Sequence, residues 1–427
     1  MMKKVLIIGF LHPYTISGGS FRTLPLAKYL PEFGWEPVVL TPILQEKVNV
    51  PFRVVETDYT DALAFWKKLF GFKVGADVKS EVINRSGIGL KKTVLDFLMT
   101  RAGEILHYPD SYRGWQPFAL AAAEKLLEEE KFDVMLTCHP TISHIIGARL
   151  KQKHNIPWIA DFPDLWSQNH NYGYSSLRRI IDKRLEKKTL RKADVLTTVS
   201  EPWADKLRAI HKNNREIYSI THGYNPAKVN LPPVKLTNNL TITYTGTIYG
   251  KRQKPSKLFA SLKELLAEET INPKDIEVRF FGDKLEWLED EIYNYSLSGI
   301  VKQYGLLNPD LVPAKQKESQ ILLSLKWEDV KESGWHSGKI YDYLAARRPV
   351  LAIGGFKDVI SELLEETKAG IFAPDTQSIK DALKKMYFEY KQKGFISYTG
   401  VEQQLNKYSH YEMSRKFANL LDELTGE

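Results

Sequence analysis

One pattern constrains this chain more than any other, and it runs through the sequence twice. Short, almost wholly apolar runs alternate with helix-like segments. KVLIIGF (Lys4–Phe10), PVVLT (Pro37–Thr41), DVMLTC (Asp133–Cys138), PWIADF (Pro157–Phe162), DVLTTVS (Asp194–Ser200) and IYSITHG (Ile217–Gly223) form the first series. TITYTGT (Thr241–Thr247), EVRFFG (Glu277–Gly282), VKQYG (Val301–Gly305), ILLSL (Ile321–Leu325) and VLAIG (Val350–Gly354) form the second. A short apolar run without alternation fits a strand buried on both faces, as in parallel sheets covered by helices. Between the runs, residues 21–30, 117–130, 142–151, 177–192 and 202–211 predict helices, so the crossovers are right-handed. At 427 residues the chain is too long for one core. The expectation is an α/β protein of two Rossmann-like, doubly wound domains facing a central cleft. Their predicted bounds are 1–225 and 226–404, divided by the polar, proline-bearing link 225–239, with a C-terminal helix from about 405 to 427 packing back on the first domain.

Charge and cysteine content narrow the function. The formal net charge of +8 predicts an anionic partner: phosphates, an acidic membrane surface or nucleic acid. The single cysteine, Cys138, excludes an internal disulfide and fits a reducing, cytoplasmic setting. Lys3 and Lys4 precede an apolar run, but VLIIGF is short and His12 and Pro13 follow, so no secretory signal is read. No stretch approaches the ~20 apolar residues of a membrane span. The chain lacks CxxC pairs, HExxH and a Walker lysine loop, and no metal or other cofactor is expected.

In doubly wound sheets ligands sit beyond the carboxyl ends of the strands, so the loops there are the candidate sites. Phe10–Arg22 (FLHPYTISGGSFR) carries His12 on the acceptor side and Gly18 and Gly19, whose backbone N–H groups suit a phosphate or a ligand-free tight turn. It is not GxGxxG, which argues against a dinucleotide. His139, after DVMLTC, suits an acid, a base or a hydrogen-bond donor, or a satisfied structural role. In DFPDLW, Asp164 suits a sugar hydroxyl or a helix N-cap, and Trp166 suits stacking on a sugar ring. In TGTIYGKRQKP, Gly246 and Thr247 open a glycine loop, and Arg252 suits bidentate binding of a diphosphate. In SGWHSGKIYDYLAARRPVLAIGG, Gly338, Lys339 and Ile340 open a helix whose dipole and lysine favour an anion, and Asp342 adds an acceptor in its first turn. The basic run 178–192 reads mostly as a solvated helix face.

In order and spacing these segments resemble glycosyltransferase family 4, of the GT-B fold. The resemblance is carried by KVLIIGF…GGSFRTLPLAKYLPEFGWEPVVLT, KADVLTTVSEPWADKL with SITHGYNP, YTGTIYGKR and GKIYDYLAARRPVLAIGG. It implies metal-free transfer of a sugar from a nucleotide-sugar donor to a saccharide or lipid-linked acceptor, with retention at the anomeric carbon. Cell-surface polysaccharide or glycoconjugate synthesis is the implied setting, in the cytoplasm or peripheral on the inner face of the membrane. The C-terminal domain would hold the donor: Asp342 the ribose diol, Arg252 and Lys339 the diphosphate. Family members usually carry two glutamates eight residues apart. Here Asp342 stands for the second and Gly334 occupies the place of the first, with Glu332 off register. A nucleotide-sugar 2-epimerase of the same fold is the rival enzyme, and a basic nucleic-acid-binding protein the rival of another class. Finally, residues 62–106 mix large apolar side chains (Phe65, Trp66, Phe70) with lysines, which suits either an anionic membrane interface or packing on the core.

Overall fold

The apolar runs become the strands of two parallel sheets. The computed structural model describes residues 2–11, 20–43, 49–60, 108–169, 174–212, 216–250 and 253–426, which group into two units. Unit 1 comprises Met1–Ile220 and Ser414–Glu427, and unit 2 comprises Thr221–Met413.

Unit 1 runs β1 (Lys3–Ile8), α1 (Ser20–Tyr29), β2 (Trp35–Pro42), β3 (Arg53–Thr57), α2 (Gln116–Glu129), β4 (Val134–Thr137), α3 (Thr141–His154), β5 (Trp158–Phe162), α4 (Ser176–Leu190), β6 (Val195–Thr198), α5 (Glu201–Ile210) and β7 (Glu216–Ser219). Its strands lie in the order β3-β2-β1-β4-β5-β6-β7, every pair parallel. A buried ion pair ties α1 to the sheet. Arg22 Nη2 donates to Asp161 Oδ1 at 2.8 Å and Nε to Oδ2 at 3.1 Å, while Arg22 Nη1 donates to the Ile220 carbonyl at 2.7 Å. Thr197 Oγ1 donates to Asp161 Oδ1 at 2.7 Å. Breaking such a pair by removing one partner costs about 3–5 kcal/mol, because the other charge stays buried.

Unit 2 repeats the scheme: α6 (Pro226–Val229), β8 (Leu240–Thr245), α7 (Ser256–Ala267), β9 (Ile276–Phe281), α8 (Glu286–Asn294), β10 (Val301–Gly305), α9 (Val312–Lys317), β11 (Ile321–Leu325), α10 (Gly338–Ala346), β12 (Val350–Ile353), α11 (Val359–Thr367), β13 (Gly370–Ala373), α12 (Thr376–Lys393) and α13 (Glu402–Asn406). The strand order is β10-β9-β8-β11-β12-β13, again all parallel. The last helix, α14 (His410–Thr425), starts in unit 2 and from Ser414 belongs to unit 1. Successive residues of one strand feed opposite cores: Leu323 and Leu351 enter one, Leu322 and Val350 the other. That is why these strands are apolar at every position instead of alternating.

Sequence reading finds the central strands and misses β3 and β13. Both are edge strands whose residues are mostly half-buried or exposed, so they carry no continuous apolar run. The helix read as 177–192 runs Ser176–Leu190, and its basic residues are mostly exposed, as expected, with one exception. Arg178 is not on a solvated face: it is buried, its Nε bonded to both carboxylate oxygens of Asp182 at 2.9 Å.

Candidate active site

The strand order of unit 2 reverses between β8 and β11, which makes the carboxyl ends of these strands the crevice where such sheets take ligands. The turn after β8 is built for close approach. Gly246 has φ +100°, a left-handed value that disfavours any side chain, and its N–H donates to the Phe281 carbonyl at 2.7 Å. A Cβ on Gly246 would lie 2.6 Å from Cε of Lys339, and one on Gly282 would lie 2.5 Å from the Gly246 carbonyl oxygen. Two glycines thus let the turn settle beneath the lysine.

Lys339 is the second residue of α10 and half-buried. Its Nζ donates to the Thr247 carbonyl at 2.6 Å and to Tyr244 Oη at 2.9 Å, and the Tyr244 hydroxyl donates to the same carbonyl at 2.9 Å. The ammonium also lies 4.9 Å from the centre of the Tyr244 ring and 5.2 Å from that of Tyr249. No carboxylate among the described residues pairs with it. Burial therefore pushes Lys339 down from the ordinary lysine value to about 7. Its neighbours at the mouth of α10 are the helix's own first N–H groups, which the Ser337 side chain does not cap. Gly338 opens the helix, whereas Ile340 gives its side chain to the core.

Asp342 lies in the second turn of α10, not the first, because the helix starts only at Gly338. Its Oδ1 accepts from Lys228 Nζ of α6 at 2.6 Å, a half-exposed ion pair that sequence reading did not foresee. Glu332 is buried in a short 3-10 turn, Val330–Glu332. An aromatic cluster also follows β11: Trp327 lies 5.6 Å from Trp335 and 6.1 Å from Tyr249, centre to centre. Beside it Lys326 is buried, its Nζ 2.7 Å from Asp358 Oδ1 and 3.8 Å from the centre of the Phe372 ring. Its position at a strand end, in LSLKWED, was the available signal. Arg252 lies outside the described residues.

In unit 1 the order reverses between β1 and β4. His139 stands there, half-buried, its carbonyl accepting from Phe10 N–H at 3.1 Å. Asp164 follows β5 and is half-buried, without a hydrogen-bond or ion-pair partner among the described residues, so burial raises its carboxyl to about 6. The described residues directly after it, 165–169, form no helix, which removes the N-cap reading. Trp166 is buried. Two further titratable groups escaped sequence reading. Asp110 accepts from the N–H groups of Ile142 and Tyr112, both at 2.7 Å, yet burial lifts it to about 6. His144 bonds Thr137 Oγ1 at 2.8 Å, stacks on Phe162 at 4.3 Å and is pushed down to about 3, chiefly by burial, which keeps it neutral. His12, Gly18, Gly19 and the segment 62–106 lie outside the described residues.

Residues 89–228 match the family model described as Glycosyltransferase Family 4. No curated protein matches the chain in sequence. Among solved structures, sucrose-phosphate synthase from Thermosynechococcus elongatus is 13% identical, with 99% of each chain covered and a TM-score of 0.63. HepE of Anabaena, solved with UDP and glucose, is 13% identical over 99% of this chain and 100% of that one, with a TM-score of 0.62. A glycosyltransferase from Rickettsia africae is 15% identical over 100% and 99%, with a TM-score of 0.60. At such identities the structures share the two-domain, Rossmann-like fold.

Proposed function

We propose that this chain, a glycosyltransferase related to family 4 through residues 89–228, moves a sugar from a nucleotide-sugar donor held by unit 2 onto a saccharide or lipid-linked acceptor, with retention at the anomeric carbon. The observation that carries the donor reading is Lys339: a half-buried ammonium, held by neutral oxygens above a glycine turn at the strand-order reversal, without a carboxylate partner among the described residues. A diphosphate supplies the missing counter-charge.

The chemistry follows from where charge develops. As the bond from the sugar's C1 to the diphosphate oxygen breaks, its electron pair passes to that oxygen, and the acceptor hydroxyl oxygen bonds to C1. The acceptor's proton leaves with the phosphate or to water. Lys339 and the N-terminus of α10 stabilise the growing negative charge without reorganising, which is where such sites gain most of their rate, and Arg252 adds a second cation. No metal is needed for that task. Asp342 keeps Oδ2 for the ribose hydroxyls while Oδ1 holds Lys228. His139 and Asp164, each beyond the carboxyl end of a strand of unit 1, serve the acceptor. The family's usual setting, cell-surface polysaccharide or glycoconjugate synthesis, is the one this reading favours.

Calorimetry with UDP and GDP tests the donor reading. Wild type binds one of them, and Lys339→Gln weakens binding at pH 7 by at least about tenfold, as expected for a lost charged hydrogen bond. Unchanged affinity in the folded variant would remove Lys339 from the site. With the donor found, the anomeric configuration of the product decides retention, and transfer undiminished in EDTA is the expected outcome for the metal.

A further inference from the structure

The helix α4, SLRRIIDKRLEKKTL, is built inside out. Its buried face carries Arg178, Asp182, Glu186, Thr189 and Leu190, and both of its acids are on that face. Each acid is satisfied there: Asp182 by Arg178, and Glu186 by the Ser167 N–H at 3.0 Å and His211 Nε2 at 3.1 Å. The outer face begins with three aliphatic side chains, Leu177, Ile180 and Ile181, which are 68%, 49% and 39% exposed. Lys183, Arg184, Lys187, Lys188 and then Arg191 follow, all exposed and none in an ion pair among the described residues. Leu177, Ile180, Ile181, Arg184 and Lys188 fall at i, i+3, i+4, i+7 and i+11, so they share one stripe. That stripe is apolar at one end, cationic at the other, and free of acids.

We propose that this outer stripe of α4 docks the protein on an anionic lipid bilayer. A single helix presents a convex line of side chains, not a groove. Such a line suits a helix lying in the membrane interface, its aliphatic residues among the acyl boundary and its cations at the headgroups. Each cation near an anionic leaflet adds about 1 kcal/mol, so Arg184 and Lys188 on the stripe, with Lys183, Lys187 and Arg191 exposed around them, supply what three aliphatic side chains alone do not. Charge argues against a second copy of the chain: a two-fold contact through this stripe would set its cations either on the copy's cations or on its aliphatic side chains, with no acid on the stripe to pair them. No described helix is long and apolar enough to cross a membrane, so the attachment is a surface one. The inference does not depend on the glycosyltransferase reading.

The test is cosedimentation of the full chain with vesicles of phosphatidylcholine alone or with about one third phosphatidylglycerol. Wild type should bind the anionic vesicles, bind neutral ones at least tenfold more weakly, and release in high salt. The triple variant Leu177→Ser, Ile180→Ser, Ile181→Ser and the charge reversal Arg184→Glu with Lys188→Glu should each lower vesicle binding at least tenfold. Their thermal midpoints and UDP or GDP affinities should match wild type, which separates surface loss from unfolding. The proposal is overturned if wild type ignores anionic vesicles at low salt, or if it binds neutral and anionic vesicles alike. It also fails if both variants bind as wild type does, or if light scattering finds a dimer that the triple variant dissolves.

Discussion

Lys339 joins the donor site to pH. Its folded value of about 7 lies below the ordinary 10.5, so between these two values the unfolded chain holds one more proton than the folded one. Stability therefore rises with pH across that window, and the cost of a charged, desolvated lysine is felt in full below pH 7. Lys339→Met should remove this slope, read as thermal midpoints from pH 6.5 to 9.5. A bound diphosphate restores the proton, so wild-type nucleotide affinity should weaken by up to about tenfold per pH unit above 7.5, and heats at pH 8 should differ between buffers of different ionisation enthalpy. Asp164 shows the opposite sign. Its carboxyl is raised to about 6, so its burial costs stability above that pH and not below about 4. Asp164→Asn should stabilise the protein at pH 7.5 by up to about 3 kcal/mol while lowering transfer; loss of both stability and activity would make Asp164 a structural residue. The sequence identifies Lys339 and Asp164 as candidates because each follows a buried run or opens a helix. Their missing partners are not legible there, because the absence of a counter-charge depends on every side chain packed nearby. The pairing of Asp342 with Lys228, 114 residues away, is hidden for the same reason.

At the scale of elements, strands are easier to read than helix faces. A parallel strand buried on both sides announces itself by composition alone, and only the edges β3 and β13 escape. A helix must be read by which face goes inward, and α4 defeats the usual rule that charges point out: its interior is Arg178, Asp182 and Glu186, arranged as mutual and backbone partners. The turn after β8 was legible as a glycine loop, but the demand on Gly246 comes from Lys339, a residue of another element. Gly246→Ala meets a left-handed φ and the lysine stem together. It should cost about 1–3 kcal/mol by denaturant unfolding and weaken nucleotide binding at least as much as Lys339→Gln. A variant that keeps wild-type affinity would show that the turn does not shape the site.

At the scale of the whole chain, the two units differ in how they are assembled from sequence. Unit 2 is one continuous stretch, Thr221–Met413, whereas unit 1 is completed by Ser414–Glu427. That closing segment is a working part of unit 1. Phe417 and Leu421 are fully buried, Arg22 lies 5.1 Å from the centre of the Phe417 ring, and Asp422 Oδ1 accepts from Trp35 Nε1 at 3.1 Å and pairs with Lys3 at 3.4 Å. Phe417→Ala should cost about 3–5 kcal/mol, the toll of a large buried ring, and the loss should appear in the transition that UDP or GDP does not shift. The same discontinuity sets an order of events during translation. The ribosome has delivered every residue of unit 2 before it adds the strip that seals unit 1, so the half begun first is the half finished last. Nascent unit 1 must wait with the sites for Phe417 and Leu421 still open, and it is in that interval that a chaperone would find most to hold.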